Sequence, residues 1–112
     1  MDSRPTLDDL AARAAAFTAA RDWTQFHDPK SLILALTGEV GELAELFQWA
    51  PASGESVSRV RAGEEMADVL IYLLHLSNAL GIDLGAAVVA KMDDNDARFV
   101  VDAVSGTAPL KS

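Results

Sequence analysis

Four acids in two pairs carry the most chemistry in this chain. Glu39 and Glu42 stand three apart in Gly38-Glu39-Val40-Gly41-Glu42; Glu65 and Asp68 stand three apart in Glu65-Met66-Ala67-Asp68. On a helix such residues project from neighbouring turns, about 60° apart, so each pair can aim two carboxylates at one point. If the two helices pack antiparallel, the pairs converge. Four clustered carboxylates repel one another and hold protons more tightly. A divalent cation removes that repulsion. Hard oxygen ligands suit Mg2+, with Mn2+ as a substitute, and such an ion bridges phosphate oxygens and acidifies a bound water. A single E-x-x-E is ordinary on a solvated helix face. These pairs differ because both sit beside apolar stripes, where an unpaired carboxylate is costly, and neither has enough basic neighbours for salt bridges. Glu45 and Glu64 fall off the convergent faces and read as solvated or secondary.

Positioning these acids takes helices. Thr6 followed by Asp9 resembles a capping box, with an Ala-rich helix running to about Arg21. Asp28-Pro29 is a second start signal, for a helix from about Pro29 to Trp49 with Leu36, Val40, Leu43 and Phe47 on one stripe. Pro51 and Gly54 mark a loop. A third helix is expected from near Ser56 to Leu80, stopped by Gly81 and apolar on nearly all sides. Asp83 caps a fourth, from about Leu84 to Val101. The tail 102–112 reads as mobile. No stretch alternates with period two, so the expected fold is all-α, a four-helix bundle in a single domain spanning 1–112.

The whole-chain properties narrow the partners. A formal charge of −8 over 112 residues argues against a nucleic-acid backbone or an anionic membrane. It is compatible with a nucleotide held through a cation. With no cysteine, thiolate metal sites, disulfides and a cysteine nucleophile are excluded. The N-terminus lacks a signal-peptide layout and the most apolar stretch, Met66 to Leu80, is too short to span a bilayer, so a soluble cytoplasmic protein is expected. A di-iron reading of the acids requires Glu-x-x-His motifs, but His27 and His75 follow Thr24 and Tyr72 at that spacing.

The segments Gly38-Glu39-Val40-Gly41-Glu42-Leu43-Ala44-Glu45 and Glu65-Met66-Ala67-Asp68 resemble the signature of the MazG-type all-α nucleotide pyrophosphohydrolases. The resemblance implies that Glu39, Glu42, Glu65 and Asp68 are the catalytic metal ligands. Arg21-Asp22-Trp23-Thr24-Gln25-Phe26-His27, Glu45-Leu46-Phe47-Gln48-Trp49, Asp68-Val69-Leu70-Ile71-Tyr72-Leu73 and Lys91-Met92-Asp93 are similar to the dCTP pyrophosphatase branch. Together the similarity covers roughly residues 7 to 99. It implies nucleotide contacts from Trp23, Thr24, Gln25, Phe26, His27, Trp49 and Tyr72, and hydrolysis of dCTP or a modified dCTP to the monophosphate and pyrophosphate. The chain departs from the pattern at Gly38, where a second glutamate often stands, at Ala14, where the branch can place a histidine, and at Val100, where a proline often follows the aromatic.

Around that reading, Lys91, Asn95 and Arg98 share one face of the fourth helix and suit a triphosphate. Trp23 and Trp49, with Phe17 and His27, suit a base pocket, and Tyr72 suits the sugar. His75, flanked by leucines, reads as a buried, hydrogen-bonded histidine. The surplus of apolar residues on the third helix, with the resemblance, points to a homo-oligomer, a dimer of dimers. The rival readings are a broad-specificity house-cleaning pyrophosphohydrolase and a non-catalytic helical interaction module.

Overall fold

In the computed structural model, which describes residues 3–107, local signals set each helix boundary. Helix α1 spans Leu7–Ala20. Its capping box is complete: the Asp9 amide donates to Thr6 Oγ1 at 3.1 Å and the Thr6 amide to Asp9 Oδ2 at 2.9 Å. Asp22, in the left-handed region at φ 54°, ends the run. A single 3₁₀ turn, Thr24–Phe26, leads to α2, Pro29–Glu45, capped by Asp28 with proline at the start. Helix α3, Arg59–Leu80, begins on a Ser58 cap. It stops where Gly81 turns left-handed at φ 67° and Ile82 N–H reaches back to the Ser77 carbonyl at 2.9 Å. Helix α4, Leu84–Arg98, is capped by Asp83, and Val101–Val104 forms a last helical turn, α5.

The all-α, four-helix expectation matches this order, with shifts at three ends. Helix α2 stops at Glu45 rather than Trp49. From Leu46 to Ala50 the chain tightens into turns with i→i+3 bonds, and the Phe47 ring comes to lie 3.1 Å from where a Cβ on Gly54 would be. Helix α3 starts at Arg59 because the Ser58 hydroxyl accepts from the Arg61 amide. Helix α4 ends at Arg98, and the expected mobile tail begins with the ordered turn α5, while 108–112 lie outside the described residues.

Helices α2 and α3 form the principal packed pair, α1 lies on α3, and α4 packs mainly on α1. The core is small: Leu32, Val57, Ala62 and Leu74, with Thr18, His75 and Ser77 among them. The buried hydroxyls satisfy themselves locally, Thr18 to the Ala14 carbonyl and Ser77 to the Leu74 carbonyl. Asn78 Nδ2 donates to the Ala11 carbonyl at 3.0 Å and ties α3 to α1. Within one chain α3 is not buried all round: Met66, Leu70, Ile71 and Leu80 are exposed. Neighbours in a single copy leave much of the stretch from Met66 to Ile71 open, whereas none of residues 72–77 is exposed. No single helix among the described residues is long and apolar enough to cross a membrane.

Candidate active site

Packing α2 against α3 brings the acid pairs together. One carboxylate oxygen from each of Glu39, Glu42 and Glu65 lies within 4.8 Å of the others. Glu39 Oε2 and Glu65 Oε2 are shielded from solvent with no hydrogen-bond partner. Both carboxyls are pushed above the ordinary carboxylate range, first by burial and then by the negative charges of Glu42 and Asp68. Arg61, one turn before Glu65, opposes that shift at Glu65. Asp68 stands outside the tight trio and is exposed, but it is near enough to act on Glu39 and Glu65. Converging hard oxygens, two of them orphaned, form a donor set that fits a hard divalent cation.

The trio opens into a polar cavity of about 400 Å³ lined by Glu42, Glu45, Leu46, Gln48, Arg61 and Glu65. Three of the polar residues here, Glu45, Gln48 and Arg61, lie outside the expected contacts. Glu45, expected off the convergent face, lines the cavity because it follows Glu42 by three. Arg61 was visible only as the residue four before Glu65, a spacing that makes helix neighbours. It supplies one cationic group beside the acids.

The remaining expected contacts are spread over the molecule. The Trp23 ring meets Phe17 edge to face at 5.9 Å, and Arg21 lies over the Phe17 ring at 3.7 Å. Trp49 is 90 % exposed, so it is no core anchor in this chain. Gln25 is held by Asp22, donating to its carbonyl and carboxylate, and Phe26 is exposed. Tyr72 is half-buried, its ring 6.0 Å from that of His75. His27 and Thr24 line a separate cavity with His75. His75 is buried as expected, but among the described residues its side chain makes no hydrogen bond and meets the rings of His27 and Tyr72 instead. On α4, Lys91 and Arg98 both pair with Asp94, at 3.7 and 3.9 Å, and Asn95 Oδ1 is buried without a partner. Among the described residues no ion pair joins this face to the carboxylates, and α4 leaves α3 at 102°.

Residues 27–98 match the MazG nucleotide pyrophosphohydrolase domain. The chain is 48 % identical to rat dCTP pyrophosphatase 1 over 110 residues, 93 % of this chain and 65 % of that protein. It is 50 % identical to the human protein of the same name over 101 residues, 85 % of this chain and 59 % of that one. It thus spans just under two thirds of the length of these curated relatives. Among solved structures, a pyrophosphatase from Archaeoglobus fulgidus superposes with a TM-score of 0.75 at 33 % identity, covering 89 % of this chain and 97 % of the other. Acid spacing, helical order and these likenesses agree, and the chain belongs to the MazG nucleotide pyrophosphohydrolase domain family.

Proposed function

We propose that this chain is a magnesium-dependent pyrophosphohydrolase that converts dCTP, or a modified dCTP, to the nucleoside monophosphate and pyrophosphate. The observation that carries the reading is the convergence of Glu39, Glu42 and Glu65 with two buried, unpartnered oxygens. The relatives named dCTP pyrophosphatase 1 support the choice of substrate. Glu39, Glu42, Glu65 and Asp68 would hold the ion. Bound there, magnesium would screen the carboxylates, grip phosphate oxygens and acidify water.

The chain's own groups supply the rest. A water oxygen bonds to the α-phosphorus, the bond to the bridging oxygen breaks, and pyrophosphate leaves. A carboxylate of the cluster takes the water's proton as general base. Arg61 and Gln48 border the same cavity and can orient phosphate oxygens. Trp23, half-exposed, and Trp49, almost wholly exposed, offer ring faces to a base, and Thr24, Gln25, Phe26, His27 and Tyr72 complete the nucleotide side.

Assembly belongs to the same proposal. The exposed area is 8603 Å², against roughly 6,000 Å² for a compact monomer of this mass. The radius of gyration is 17.2 Å, against about 13 Å for a compact chain of this size. The excess exceeds the roughly 800 Å² per partner of an ordinary stable interface. A homo-oligomer, a dimer of dimers, would cover the exposed α3 and α4 residues and could bring Lys91, Asn95 and Arg98 of one copy to the carboxylates of another.

Phosphorus NMR of a reaction with dCTP and Mg2+ tests the chemistry. Pyrophosphate and dCMP are expected; dCDP with free phosphate would reject α-phosphorus attack, and no hydrolysis of any triphosphate would favour an interaction module. A substrate panel separates a dCTP enzyme from a broad house-cleaning one. Light scattering tests assembly, and a folded, active species of one chain mass at low micromolar concentration would defeat it.

A further inference from the structure

A cavity between α1, the Thr24–Phe26 turn and α3 holds polar groups that the carboxylate site leaves unused. It measures about 220 Å³ and is lined by Thr18, Thr24, His27, His75 and Asn78 with two alanines. That is below the roughly 300–1,000 Å³ of pockets that enclose a whole drug-sized ligand, and suits one end of a longer molecule. The lining holds no carboxylate, lysine or arginine, so nothing there offsets the charge of a phosphate. The occupant it fits is small, polar and neutral.

His75, 9 % exposed, reaches the cavity from α3. Among the described residues neither imidazole makes a hydrogen bond, and no ring nitrogen is an unpartnered atom sealed from solvent. The His75 nitrogens are therefore both unspent and within reach of a small molecule. The Thr24 hydroxyl is unspent as well, whereas the Thr18 hydroxyl donates to the Ala14 carbonyl and the Asn78 amide nitrogen to the Ala11 carbonyl. Burial, and secondarily His27, hold the pKa of His75 below its ordinary value, which favours the neutral ring, with one nitrogen donating and the other accepting.

Position links this cavity to the carboxylates. Asp68 and His75 stand seven residues apart on one face of α3, and the helical rise puts His75 about 10 Å further along. That is close to the reach of a nucleotide from its α-phosphorus to the far edge of a pyrimidine. Tyr72 stands between them on the same face, its ring 6.0 Å from that of His75. Trp23 is tied to the cavity wall, its amide donating to the Thr18 carbonyl at 3.0 Å.

We propose that this cavity receives the edge of the substrate's pyrimidine base, and that His75 is a specificity-determining residue whose imidazole hydrogen-bonds the exocyclic group of that base. The inference rests on the pyrophosphohydrolase reading of the carboxylate site and adds the group that chooses the base. Stacking on tryptophan tolerates any base, so the choice falls to the edge. Cytosine offers an amino donor where uracil offers a carbonyl acceptor, and an imidazole set for one is left unpaired by the other.

The test compares turnover of dCTP and dUTP by the full chain with Mg2+ and by His75→Leu, which keeps the bulk of the side chain and removes both nitrogens. The ratio of kcat/KM values, dCTP over dUTP, should fall about tenfold or more in His75→Leu, chiefly through KM, while Mg2+ still raises its melting temperature. His75→Gln, which restores a donor and an acceptor, should recover most of the preference. Nitrogen NMR of labelled histidine in the wild type is independent of both turnover and variants. The His75 ring nitrogens should shift with dCMP and stay in place with deoxyribose 5-phosphate, which lacks the base; if His75→Leu does not fold, this comparison decides. No hydrolysis of any triphosphate by the wild type would defeat the pyrophosphohydrolase reading and this one with it. Hydrolysis with an equal preference in the wild type and folded His75→Leu, or His75 nitrogens that dCMP leaves unmoved, would overturn the base assignment alone.

Discussion

Along α3, the stretch from Glu65 to Asp68 and the stretch from Leu74 to Ser77 are built on opposite terms. The first gathers carboxylates that repel one another, two of them with raised pKa values and orphaned oxygens. The second holds Leu74, His75 and Ser77, among the most buried residues in the chain. Charge in the first stretch works against folding unless a cation arrives, and apolar burial in the second works for it. One helix thus carries both the liability of a reactive cluster and the packing that offsets it.

Substitutions at each end can break this contrast. Glu42→Gln keeps the shape and removes a charged ligand; turnover is expected to fall about a thousandfold, roughly 4 kcal/mol in the barrier, with the metal-free melting temperature unchanged or raised. Retention of more than about a tenth of wild-type turnover, under ~1.4 kcal/mol, would falsify the catalytic assignment. Leu74→Ala is expected to do the reverse, costing about 3 kcal/mol of stability in denaturant unfolding, while any remaining folded protein keeps its Mg2+ requirement. A Leu74 variant of full stability would mean that the core lies elsewhere.

Trp49→Ala sharpens the comparison from the turn after α2. Its ring is so exposed that folding should barely notice, whereas the Michaelis constant should rise by about 1–2 kcal/mol in equivalent terms, from lost base stacking. A lowered melting temperature with an unchanged Michaelis constant would return this ring to a packing role.

The smallest effects are in pH, and the two stretches should have opposite signs. Glu39 and Glu65 bind protons more tightly folded than unfolded. The metal-free protein should therefore lose stability as pH rises from the ordinary carboxylate pKa through the raised values, and saturating Mg2+ should abolish that loss. His75 binds its proton less tightly folded than unfolded. Its contribution is complete above the ordinary histidine pKa and is lost as pH falls toward the depressed value. Melting temperatures across pH, with and without Mg2+, measure both; equal slopes in the two conditions would show that the carboxylates are not coupled to the ion.

Much of this was legible in the sequence because it is local. Thr6, Asp28, Asp83 and Gly81 each mark a boundary through bonds spanning a few residues, and the structure places the helix limits beside them. The spacing of Glu39, Glu42 and Glu65 likewise encodes a shared direction on two helices. What escaped depends on distant contacts or weak local preferences. The early end of α2 is set by turns that bring Phe47 toward Gly54. The ring partner of His75 comes from a turn far along the chain. Glu45 and Arg61 became site residues only when the pitch between α2 and α3 was known. Lys91 and Arg98 pair with Asp94 on their own helix, and the direction in which α4 carries them is one that no residue within that helix announces.

The left-handed Gly81 gives that direction a mechanical meaning. It is the elbow at which α4, 15 residues long, departs from α3 at 102°. An arm of this length extends about 22 Å, so a rotation of about 10° at the elbow sweeps its far end, near Arg98, through about 4 Å. Lever amplification of this kind makes the angular stiffness of one glycine turn a control on where distant cationic side chains arrive, without moving Glu39, Glu42, Glu65 or Asp68.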